Sequence, residues 1–472
     1  MKTLFCCMSL FLFLFTSCVD DQSMPNDVDP NLAMAPAPGI VEPSPEFRPD
    51  QLQADLPENL AMIGTFGENI GTSSYDEMTD AVRDSDGNIF VTGYTYGSLP
   101  GYTNAGNTDA FVAKYNSSME LIWVRQIGTS SSDIGRAIAL DDTESYLYIA
   151  GHTNGSLYGT NAGGSDIFYL KMTINNSISV TRQFGTSSSE YVTDASYGLS
   201  SSTPSAYIYT FLITGYTYGA FSGYSNAGSY DGFWAKCQEN VGKTFPPMIT
   251  YSTTVYQFGS TGADYPMALY FDGSSYVFTG GYTGGALEGS NEGGYDSFMR
   301  KAAYSNGAQS AINQWGTVRN DYLKTMTVNS DGTALFFSGN ETGNGIIMGQ
   351  CAMSNLYTTW VNHVPSATYY NVRDITTNGL YYYITGEYFG GTFFSLPYTS
   401  DRDVFVLATT GGSRVDEWCI RYWDGDNAAD DAGVKIFIDG TDFISVVNSY
   451  GDVGADENKG SLDGFVREWT LY

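Results

Sequence analysis

Residues 86–95 read DGNIFVTGYT, and residues 109–115 read DAFVAKY. Each stretch is a short run of β-branched and aromatic residues bounded by Gly, Asp or Asn, which is typical of a strand beside a turn. The combination of Gly-Tyr-Thr, a loop and Asp-x-Phe returns along the chain with variations and weakens toward its end. Its copies begin at Gly93, Gly151, Gly215, Gly281, Gly386 and Ser449. Because self-similarity at a regular spacing is typical of stacked supersecondary units, the sequence predicts a repeat protein.

A second phrase, Gln followed by Ile, Phe or Trp and then Gly, keeps step with the first. Its copies begin at Gln126, Gln183, Gln257 and Gln314, which are separated by 57, 74 and 57 residues. Each repeat is therefore roughly 60 residues long and holds four strand-like runs separated by turn residues. Four antiparallel strands repeated about seven times fit a β-propeller better than a flat solenoid, because radial closure leaves only short, protected edges.

One end of the repeat region lacks a strand that the other end can supply. Residues 463–469 read as a third strand with no fourth strand after it, whereas residues 61–67 resemble a fourth strand without a blade. We therefore expect the N-terminal strand to pair with the C-terminal blade and close the ring. The predicted fold class is all-β, a seven-bladed β-propeller of four-stranded antiparallel blades over residues 59–472.

The repeat also resembles a known family. Residues 84–95 and 109–115, together with the Phe-Gly of the preceding strand, are similar to the bacterial SBBP family, a seven-bladed β-propeller repeat. The resemblance covers nearly all of residues 59–472 and departs from the pattern in blade five, where residues 339–345 leave almost no loop. It implies a propeller on an exported bacterial protein and little about ligand or reaction.

The N-terminal residues predict export and a lipid anchor. Residues 1–17 contain Lys2 and an apolar run too short to span a membrane, as in a signal peptide. The small residues before Cys18 resemble the lipobox of bacterial lipoproteins, and ordinary cleavage beside an unmodified Cys18 is the alternative. Residues 18–58 are rich in Pro and Asp without hydrophobic periodicity, so we expect a disordered tether. The expected location is the bacterial cell envelope, in the outer membrane or at the cell surface.

The charge of the chain argues against one class of partner. With 51 acidic and 21 basic residues, the formal net charge is −30. Nonspecific binding of nucleic acid requires clustered Lys and Arg, which the sequence lacks, so no nucleic-acid partner is expected. The acidic excess is sufficiently explained by solubility and self-repulsion.

Residues suited to catalysis are either few in number or recur at one position of the repeat. His152 replaces Tyr in one Gly-Tyr-Thr phrase and His363 lies in a distant blade, which disfavours a catalytic triad or a His-based metal site. Cys237, Cys351 and Cys419 fall in predicted strands and are expected to be buried thiols, with one disulfide bridge as the alternative. One aspartate per repeat is expected to hold a turn by accepting backbone N–H groups. These aspartates are Asp109, Asp166, Asp231, Asp296, Asp403 and Asp463.

Calcium is the one ion that the sequence suggests, and no other cofactor is implied. Residues 84–88, Asp-Ser-Asp-Gly-Asn, alternate oxygen-bearing side chains, and a second acidic segment follows Trp423. Its carboxylates are Asp424, Asp426, Asp430 and Asp431. Neither segment has the complete EF-hand spacing with its final Glu. We expect a β-turn at the first segment and either an acidic loop or a calcium site at the second.

The long loops suggest a binding surface. In a propeller, the loops from fourth to first strands and from second to third strands share one face, and here they are rich in Tyr, Ser, Gly and Asn, the composition of a recognition surface. Tyr94, Tyr216 and Tyr282 recur in register and either pack between blades or contact a ligand, so Tyr96 and Tyr218 are the better contact candidates. The short loop of blade five predicts a notch beside exposed aromatic residues of blade six, where a ligand would dock. These residues are Tyr388, Phe389, Phe393 and Phe394.

The sequence as a whole favours a surface-exposed, lipid-anchored, non-catalytic binding or adhesion module whose protein or glycan ligand contacts the long-loop face. One alternative is an exported glycan-directed hydrolase or lyase that uses carboxylates near the channel, and another is a structural envelope lipoprotein. An enzyme should concentrate non-repeating Asp, Glu, Arg or Tyr residues at the channel mouth. Insertions at residues 200–206 and 239–254 are expected to project from the opposite face around blade three, and neutral surface loops are the alternative.

Overall fold

The computed structural model describes nine stretches of the chain, and they contain 28 β-strands and no helix. The stretches are residues 63–343, 345–364, 369–379, 381–389, 402–409, 418–421, 430–439, 442–450 and 462–470. The strands form seven four-stranded antiparallel sheets arranged in a ring. The all-β, seven-bladed propeller predicted from the repeat is therefore confirmed.

In blades one to three, the four strands of each sheet follow one another along the chain. Blade one contains β2 (Asp76–Arg83), β3 (Ile89–Thr95), β4 (Asp109–Tyr115) and β5 (Leu121–Ile127). Blade two contains β6 (Asp133–Leu140), β7 (Tyr146–Thr153), β8 (Asp166–Thr173) and β9 (Ile178–Phe184). Blade three contains β10 (Glu190–Ser202), β11 (Ala206–Thr217), β12 (Asp231–Gly242) and β13 (Ile249–Phe258).

Blades four to six are built in the same order. Blade four contains β14 (Asp264–Phe271), β15 (Tyr276–Thr283), β16 (Asp296–Ala303) and β17 (Gln309–Trp315). Blade five contains β18 (Asp321–Val328), β19 (Ala334–Glu341), β20 (Gly345–Ala352) and β21 (Thr358–Val364). Blade six contains β22 (Tyr369–Thr377), β23 (Tyr382–Phe389), β24 (Arg402–Thr409) and β25 (Trp418–Arg421).

The seventh blade combines strands from the two ends of the repeat region. It contains β26 (Asp431–Asp439), β27 (Asp442–Ser449), β28 (Asp463–Thr470) and β1 (Ile63–Phe66). β1 lies outermost and pairs antiparallel with β28, with Ile63 opposite Thr470 and Phe66 opposite Arg467. Backbone hydrogen bonds thus hold the first strand and the last strand in one sheet.

The first strand of each blade lines a central channel and carries a β-bulge. In β2 the pairing with β3 shifts between Met78 and Asp80, and the first strands of the other blades shift at the equivalent place. A bulge leaves one extra, unpaired residue in the strand. The seven extra residues all line the channel: Thr79, Arg136, Thr193, Met267, Lys324, Arg373 and Val434.

The glycine of the repeat phrase is required by a close approach of two strands. A Cβ atom at Gly93 would overlap the carbonyl oxygen of Glu77, just before the bulge, and Gly151 meets Ile134 in the same way. No other residue type lacks a Cβ, so only glycine fits without a backbone shift. The packing of the second strand against the bulged first strand thus explains the Gly of Gly-Tyr-Thr.

Four of the six repeated aspartates hold turns, as predicted. The carboxylate of Asp109 accepts the backbone N–H of Ala105 and the side-chain amide of Gln126, both at 2.9 Å. Asp166, Asp231 and Asp296 accept the same two kinds of donor in blades two to four. The Gln of the second repeat phrase is therefore the partner of the Asp in Asp-x-Phe, which ties the fourth strand to the loop before the third.

Blade five replaces this Asp–Gln pair with different residues. Its second-to-third connection is as short as the sequence predicted, because β19 ends at Glu341 and β20 begins at Gly345. Gly345 takes the position of the aspartate and His363 that of the glutamine. The longer side chain of Glu341 supplies the missing carboxylate and lies 2.7 Å from His363 Nδ1.

The blade three insertions project on the expected face but are not loops. Residues 200–202 and 206 belong to β10 and β11, and residues 239–242 and 249–254 belong to β12 and β13. The alternative of surface loops is therefore wrong, since the inserted residues continue the antiparallel ladders of the sheet. The tip of this extension carries Phe245, whose side chain is fully exposed.

The cysteines behave as predicted where their side chains are described. Cys237 in β12 and Cys351 in β20 are buried free thiols, and Cys419 lies in the fourth strand β25. The predicted signal peptide, the tether and Cys18 lie outside the described residues. In the part of the chain that the structure describes, no helix is long and apolar enough to cross a membrane.

Candidate binding site

The two sets of long loops share one face of the propeller, as predicted. Thr108, at the end of the β3–β4 loop, forms a parallel bridge with Ser132 of the β5–β6 loop. The N–H of Asn107 donates to the carbonyl of Ser131 at 3.1 Å, and the N–H of Asn154 donates to that of Ser132 at 2.8 Å. Backbone hydrogen bonds thus connect the loops of neighbouring blades at the start of the channel-lining strands.

Tyrosine rings, most of them half-buried, form a continuous cluster on this face across blades three, four and five. We call it the tyrosine band. It consists of Tyr191, Tyr216, Tyr218, Tyr230, Tyr265, Tyr282, Tyr295 and Tyr322. Tyr216 contacts Tyr265 of the next blade at 4.9 Å between ring centroids, and Tyr282 contacts Tyr322 of the next blade at the same distance. Tyr216 and Tyr282 therefore pack between blades, one of the two roles expected from the sequence.

Most of the band comes from positions that the sequence interpretation passed over. Tyr191, Tyr265 and Tyr322 each follow the carboxylate that begins a channel-lining strand, and Tyr230 and Tyr295 precede the aspartate that begins a third strand. The recurring pairs Asp/Glu-Tyr and Tyr-Asp were the available signal. The strands that carry the first three tyrosines line the channel, so the band lies at the channel mouth.

A second aromatic group surrounds a carboxylate where blade one meets blade seven. Tyr75 stacks on Tyr94 and meets Tyr96 and Tyr450 edge-on, with centroids about 6 Å apart. The hydroxyls of Tyr75 and Tyr94 both donate to Glu77 Oε2, the first at 2.8 Å. Burial, with the Glu77 charge, raises the pKa of both phenols far above the usual range. Both hydroxyls therefore remain donors at physiological pH.

The individual residues predicted as ligand contacts differ in their surroundings. Tyr96 and Tyr218 are exposed on the long-loop face, and Phe389 is exposed at the end of β23. The expectation that the ring of Tyr388 is exposed is wrong, since it is 0% exposed and packs in the core beside Tyr370. In blade six these two tyrosines replace the Asp–Thr pair that blades one, two and four carry at this place, and both rings enter the core. Phe393 and Phe394 lie outside the described residues.

Basic side chains occupy three of the seven bulge positions in the channel. Arg373 pairs with Glu387, with Nε–Oε2 and Nη2–Oε1 distances of 3.2 Å. Arg136 and Lys324 make no ion pair or hydrogen bond with any residue in the described ranges. Lys324 Nζ instead lies 5.0 Å and 5.4 Å from the ring centroids of Tyr282 and Tyr322. Burial, with the charge of Arg373 nearby, lowers the pKa of Lys324 to about 8.

A second charged layer lies one residue further along the channel-lining strands. Lys435 Nζ is 3.2 Å from Asp80 Oδ1 and 3.3 Å from Asp374 Oδ1. Asp80, Asp194 and Asp374 each accept a backbone N–H from the first strand of the following blade, at 2.9, 2.7 and 3.1 Å. These aspartates thus join neighbouring blades around a cavity of about 660 Å³. Burial, with the Asp80 charge, raises the pKa of Asp194 to about 7.

His152 lies in surroundings that suit a structural role. His152 is buried at the mouth, where its ring meets Tyr191 edge-on at 5.2 Å. Burial and the charge of Arg136 lower the pKa of His152 to about 3, so the imidazole is neutral at physiological pH. It fills the place of the repeat tyrosine, as predicted from the sequence.

The predicted calcium segments are only partly described. Residues 84–88 form the expected turn, in which the N–H of Asn88 donates to Asp84 Oδ1 at 2.7 Å. Asp430 Oδ1 accepts the N–H of Arg402 at 2.9 Å, and Asp431 is buried at the start of β26, the position of the first aspartate in blade one. Asp424 and Asp426 lie outside the described residues. Within the described ranges, no three or more His, Cys, Asp and Glu side chains are grouped to hold a metal ion.

The fold and the charged, tyrosine-lined channel mouth define a seven-bladed β-propeller with a candidate binding face. Residues 122–159 match the family model SBBP, described as a beta-propeller repeat. The resemblance to this family is therefore confirmed in that range. A search of curated proteins finds no match.

Several solved propellers are similar to this chain. The periplasmic gluconolactonase PpgL of Pseudomonas aeruginosa matches with 12% identity and a TM-score of 0.36, covering 76% of this chain and 99% of that chain. The β-propeller domain of the Trilobed protease from Pyrococcus furiosus matches with 8% identity and a TM-score of 0.40, covering 83% and 95%. The hemagglutinin-neuraminidase ectodomain of parainfluenza virus 5 matches with 12% identity and a TM-score of 0.40, covering 87% of each chain. Propellers host unrelated functions, so these similarities carry no information on ligand or reaction.

Proposed function

We propose that this protein is a non-catalytic binding module whose long-loop face holds a glycan or protein ligand over the channel mouth. The observation that carries the proposal is the tyrosine band, in which eight rings from three blades are in contact on one face. Tyrosine offers rigid, amphipathic contact area at a low entropy cost, and the surrounding Ser, Gly and Asn residues supply adaptable hydrogen bonds.

The surroundings of the channel carboxylates support a non-catalytic role. Asp80, Asp194 and Asp374 already accept backbone N–H groups from the next blade, and two of them also pair with Lys435. Carboxylates committed to structural hydrogen bonds are poorly placed to attack or protonate a substrate. The buried, neutral His152 offers no general base near physiological pH.

Alanine substitutions of two exposed tyrosines test the binding face. Tyr218 on the long-loop face is 47% exposed, and Tyr207 at the opposite end of β11 is 48% exposed. Ligands selected from glycan and protein arrays should bind Tyr218→Ala about tenfold more weakly, since truncating a central interface tyrosine costs roughly 1–2 kcal/mol. Tyr207→Ala is the matched control. Equal affinity of the two variants for every selected ligand would reject the face as the site.

A glycan-directed hydrolase is the second candidate, because the non-repeating Arg136 and Arg373 in the channel match the concentration of such residues expected of an enzyme. Asp194 lines the channel cavity with its pKa raised to about 7, as a general acid requires. Incubation with glycans that bind the array, followed by measurement of new reducing ends, tests this alternative. Cleavage that disappears in Asp194→Asn would establish the enzyme and overturn the non-catalytic proposal.

We further propose that the propeller is displayed at the bacterial cell surface by a lipid anchor on Cys18, with residues 18–58 as a tether. The small residues before Cys18 and the Pro-rich composition that follows support this placement. Metabolic labelling with palmitate should mark the natural chain and leave Cys18→Ser unlabelled and released from the membrane fraction. Equal labelling of the variant would rule out the anchor.

A further inference from the structure

We propose that the channel mouth recognises a saccharide that carries a carboxylate, with Arg136 and Lys324 binding the carboxylate and the tyrosine band contacting the sugar rings. This inference rests on the proposed binding function and specifies its ligand class.

The basic residues of the channel break the repeat at one structural position. The bulge leaves one residue per blade facing the channel, and in the other four blades this residue is Thr79, Thr193, Met267 or Val434. Basic residues number only 21 in a chain of 472 residues, yet three of them occupy this single level. The chain has a formal net charge of −30, so a level of the channel with three basic residues and no carboxylate differs in sign from the chain as a whole.

Two of the three cations lack a protein counter-ion. Elsewhere in the channel the protein supplies carboxylates: Glu387 pairs with Arg373, and Lys435 has two aspartates within 3.3 Å. Arg136 and Lys324 form no ion pair among the described residues and are half-buried, and the Glu387 charge that acts on Lys324 is already paired with Arg373. A half-buried charge without a counter-ion is costly, and a bound anion would remove that cost. The unpaired state of these two side chains therefore favours a ligand with a negative group.

The chemistry of the two cations favours a carboxylate. The guanidinium of Arg136 presents a planar fork of N–H donors that matches the two oxygens of a carboxylate, and Lys324 adds a compact point charge. Arg136 lies in blade two and Lys324 in blade five, so their side chains enter the channel from non-adjacent blades. The two cations thus offer two binding points for negative groups at one level of the channel.

The tyrosine band favours a sugar as the rest of the ligand. Lys324 lies beneath the rings of Tyr282 and Tyr322, which places a cation directly beside the band. Burial raises the pKa of Tyr265 and Tyr282 well above the usual range, so their hydroxyls remain hydrogen-bond donors and acceptors. Rings with a polar tip suit a ligand that has both apolar faces and hydroxyl groups, and a sugar ring has both.

A matched pair of saccharides tests the inference. The acidic probe is the linear trimer of galacturonic acid, and the neutral control is the same trimer with every carboxylate methyl-esterified. Calorimetry with the full-length protein should show at least tenfold tighter binding of the acid than of the ester. Failure of the acidic trimer to bind, or equal binding of acid and ester, would overturn the inference.

Charge-removing variants locate the anion site. Arg136→Gln and Lys324→Met should each weaken binding of the acidic trimer at least tenfold and leave binding of the ester unchanged. Lys243→Met removes an exposed charge at the blade three extension and is the matched control. Unchanged affinity in both channel variants, or equal loss for acid and ester, would overturn the assignment.

Two further results distinguish a loss of binding from misfolding. They also distinguish failure of this inference from failure of the proposed function. Arg136→Lys retains the charge but not the planar fork, so it should recover part of the affinity that Arg136→Gln loses, which a merely structural role would not produce. If Tyr218→Ala abolishes binding of a neutral or protein ligand while the acidic trimer does not bind, the proposed function stands and this inference fails. If the acidic trimer binds equally to Tyr218→Ala and to Tyr207→Ala, the tyrosine contact is wrong.

Discussion

At the scale of single residues, the propeller places carboxyl groups in surroundings that favour their protonated form. Asp321, at the start of β18, is 3% exposed and accepts the N–H of Thr317 at 2.7 Å. Burial raises its pKa to about 7, with a further contribution from the charge of Glu341. Asp194 has a pKa of about 7 for a related reason, burial beside Asp80. Both groups bind protons more tightly in the folded chain than in the unfolded chain.

These two aspartates predict a pH dependence of stability. An unfolded aspartate has a pKa near 3.8, so between about pH 4 and pH 7 the native state holds more protons than the unfolded state. The free energy of unfolding should therefore fall as pH rises through this window, because stability declines with pH wherever the native state binds more protons. Thermal unfolding at pH 5 and pH 7.5 should show the higher Tm at pH 5.

Asp321→Asn provides the control for this pH dependence. The amide cannot ionise but retains an oxygen that accepts the Thr317 N–H. The difference in Tm between pH 5 and pH 7.5 should be smaller in this variant than in the natural chain. An undiminished difference would assign the pH dependence to other groups, such as the large net negative charge.

At the scale of structural elements, blade five lacks the repeated aspartate, and other residues take over its role of binding the fourth strand. The other well-described blades tie the fourth strand to the loop with an Asp–Gln pair, whereas β19 and β21 use Glu341 and His363. Glutamate is one methylene longer than aspartate, so it reaches the fourth strand from the second strand instead of the third. The exchange accompanies the short connection between β19 and β20.

This exchange predicts different effects of two substitutions at one position. His363→Gln restores the repeat residue and can still donate to Glu341, so we expect unfolding free energy within about 0.5 kcal/mol of the natural chain. His363→Ala removes a donor from a buried carboxylate and should cost about 1–3 kcal/mol. Chemical denaturation measures both values. An equal cost for the two variants would contradict the proposed compensation.

At the scale of the whole molecule, the ring depends on strands from distant parts of the chain meeting in the seventh blade. β1 pairs with β28, about 400 residues later, along four residues of backbone ladder. Without β1, the backbone groups of β28 that face it would become an unprotected sheet edge, which promotes association between molecules. The N-terminal strand therefore protects an edge as well as completing a sheet.

Two truncations test the contribution of this strand. Deletion of residues 19–67 removes β1, whereas deletion of residues 19–58 leaves it in place and is the matched control. The longer deletion should lower the Tm by several degrees and increase aggregation in light scattering, because the edge of β28 becomes exposed. Indistinguishable melting and scattering of the two truncations would show that β1 is dispensable for closure.

The sequence alone determined the repeat, the number of blades and the role of the recurring aspartates. These features are local, because turn residues, strand runs and a carboxylate four residues from its N–H partner are neighbours in the chain. The Gly-Tyr-Thr phrase identified the strand that packs on the bulge. It could not identify the bulge itself, since an extra residue in a ladder is visible only from the pairing of two strands.

Only the tertiary structure decided what lies at the channel mouth. The tyrosine band and the basic bulge residues come from several different repeats, and the packing of blades around the ring brings them together. The same packing placed Tyr388 in the core, because its neighbour Tyr370 replaces the acidic residue that the other blades carry there. Local spacing thus determined the blades, whereas the contacts that define a binding site arose between blades, where residues far apart in the chain share one surface.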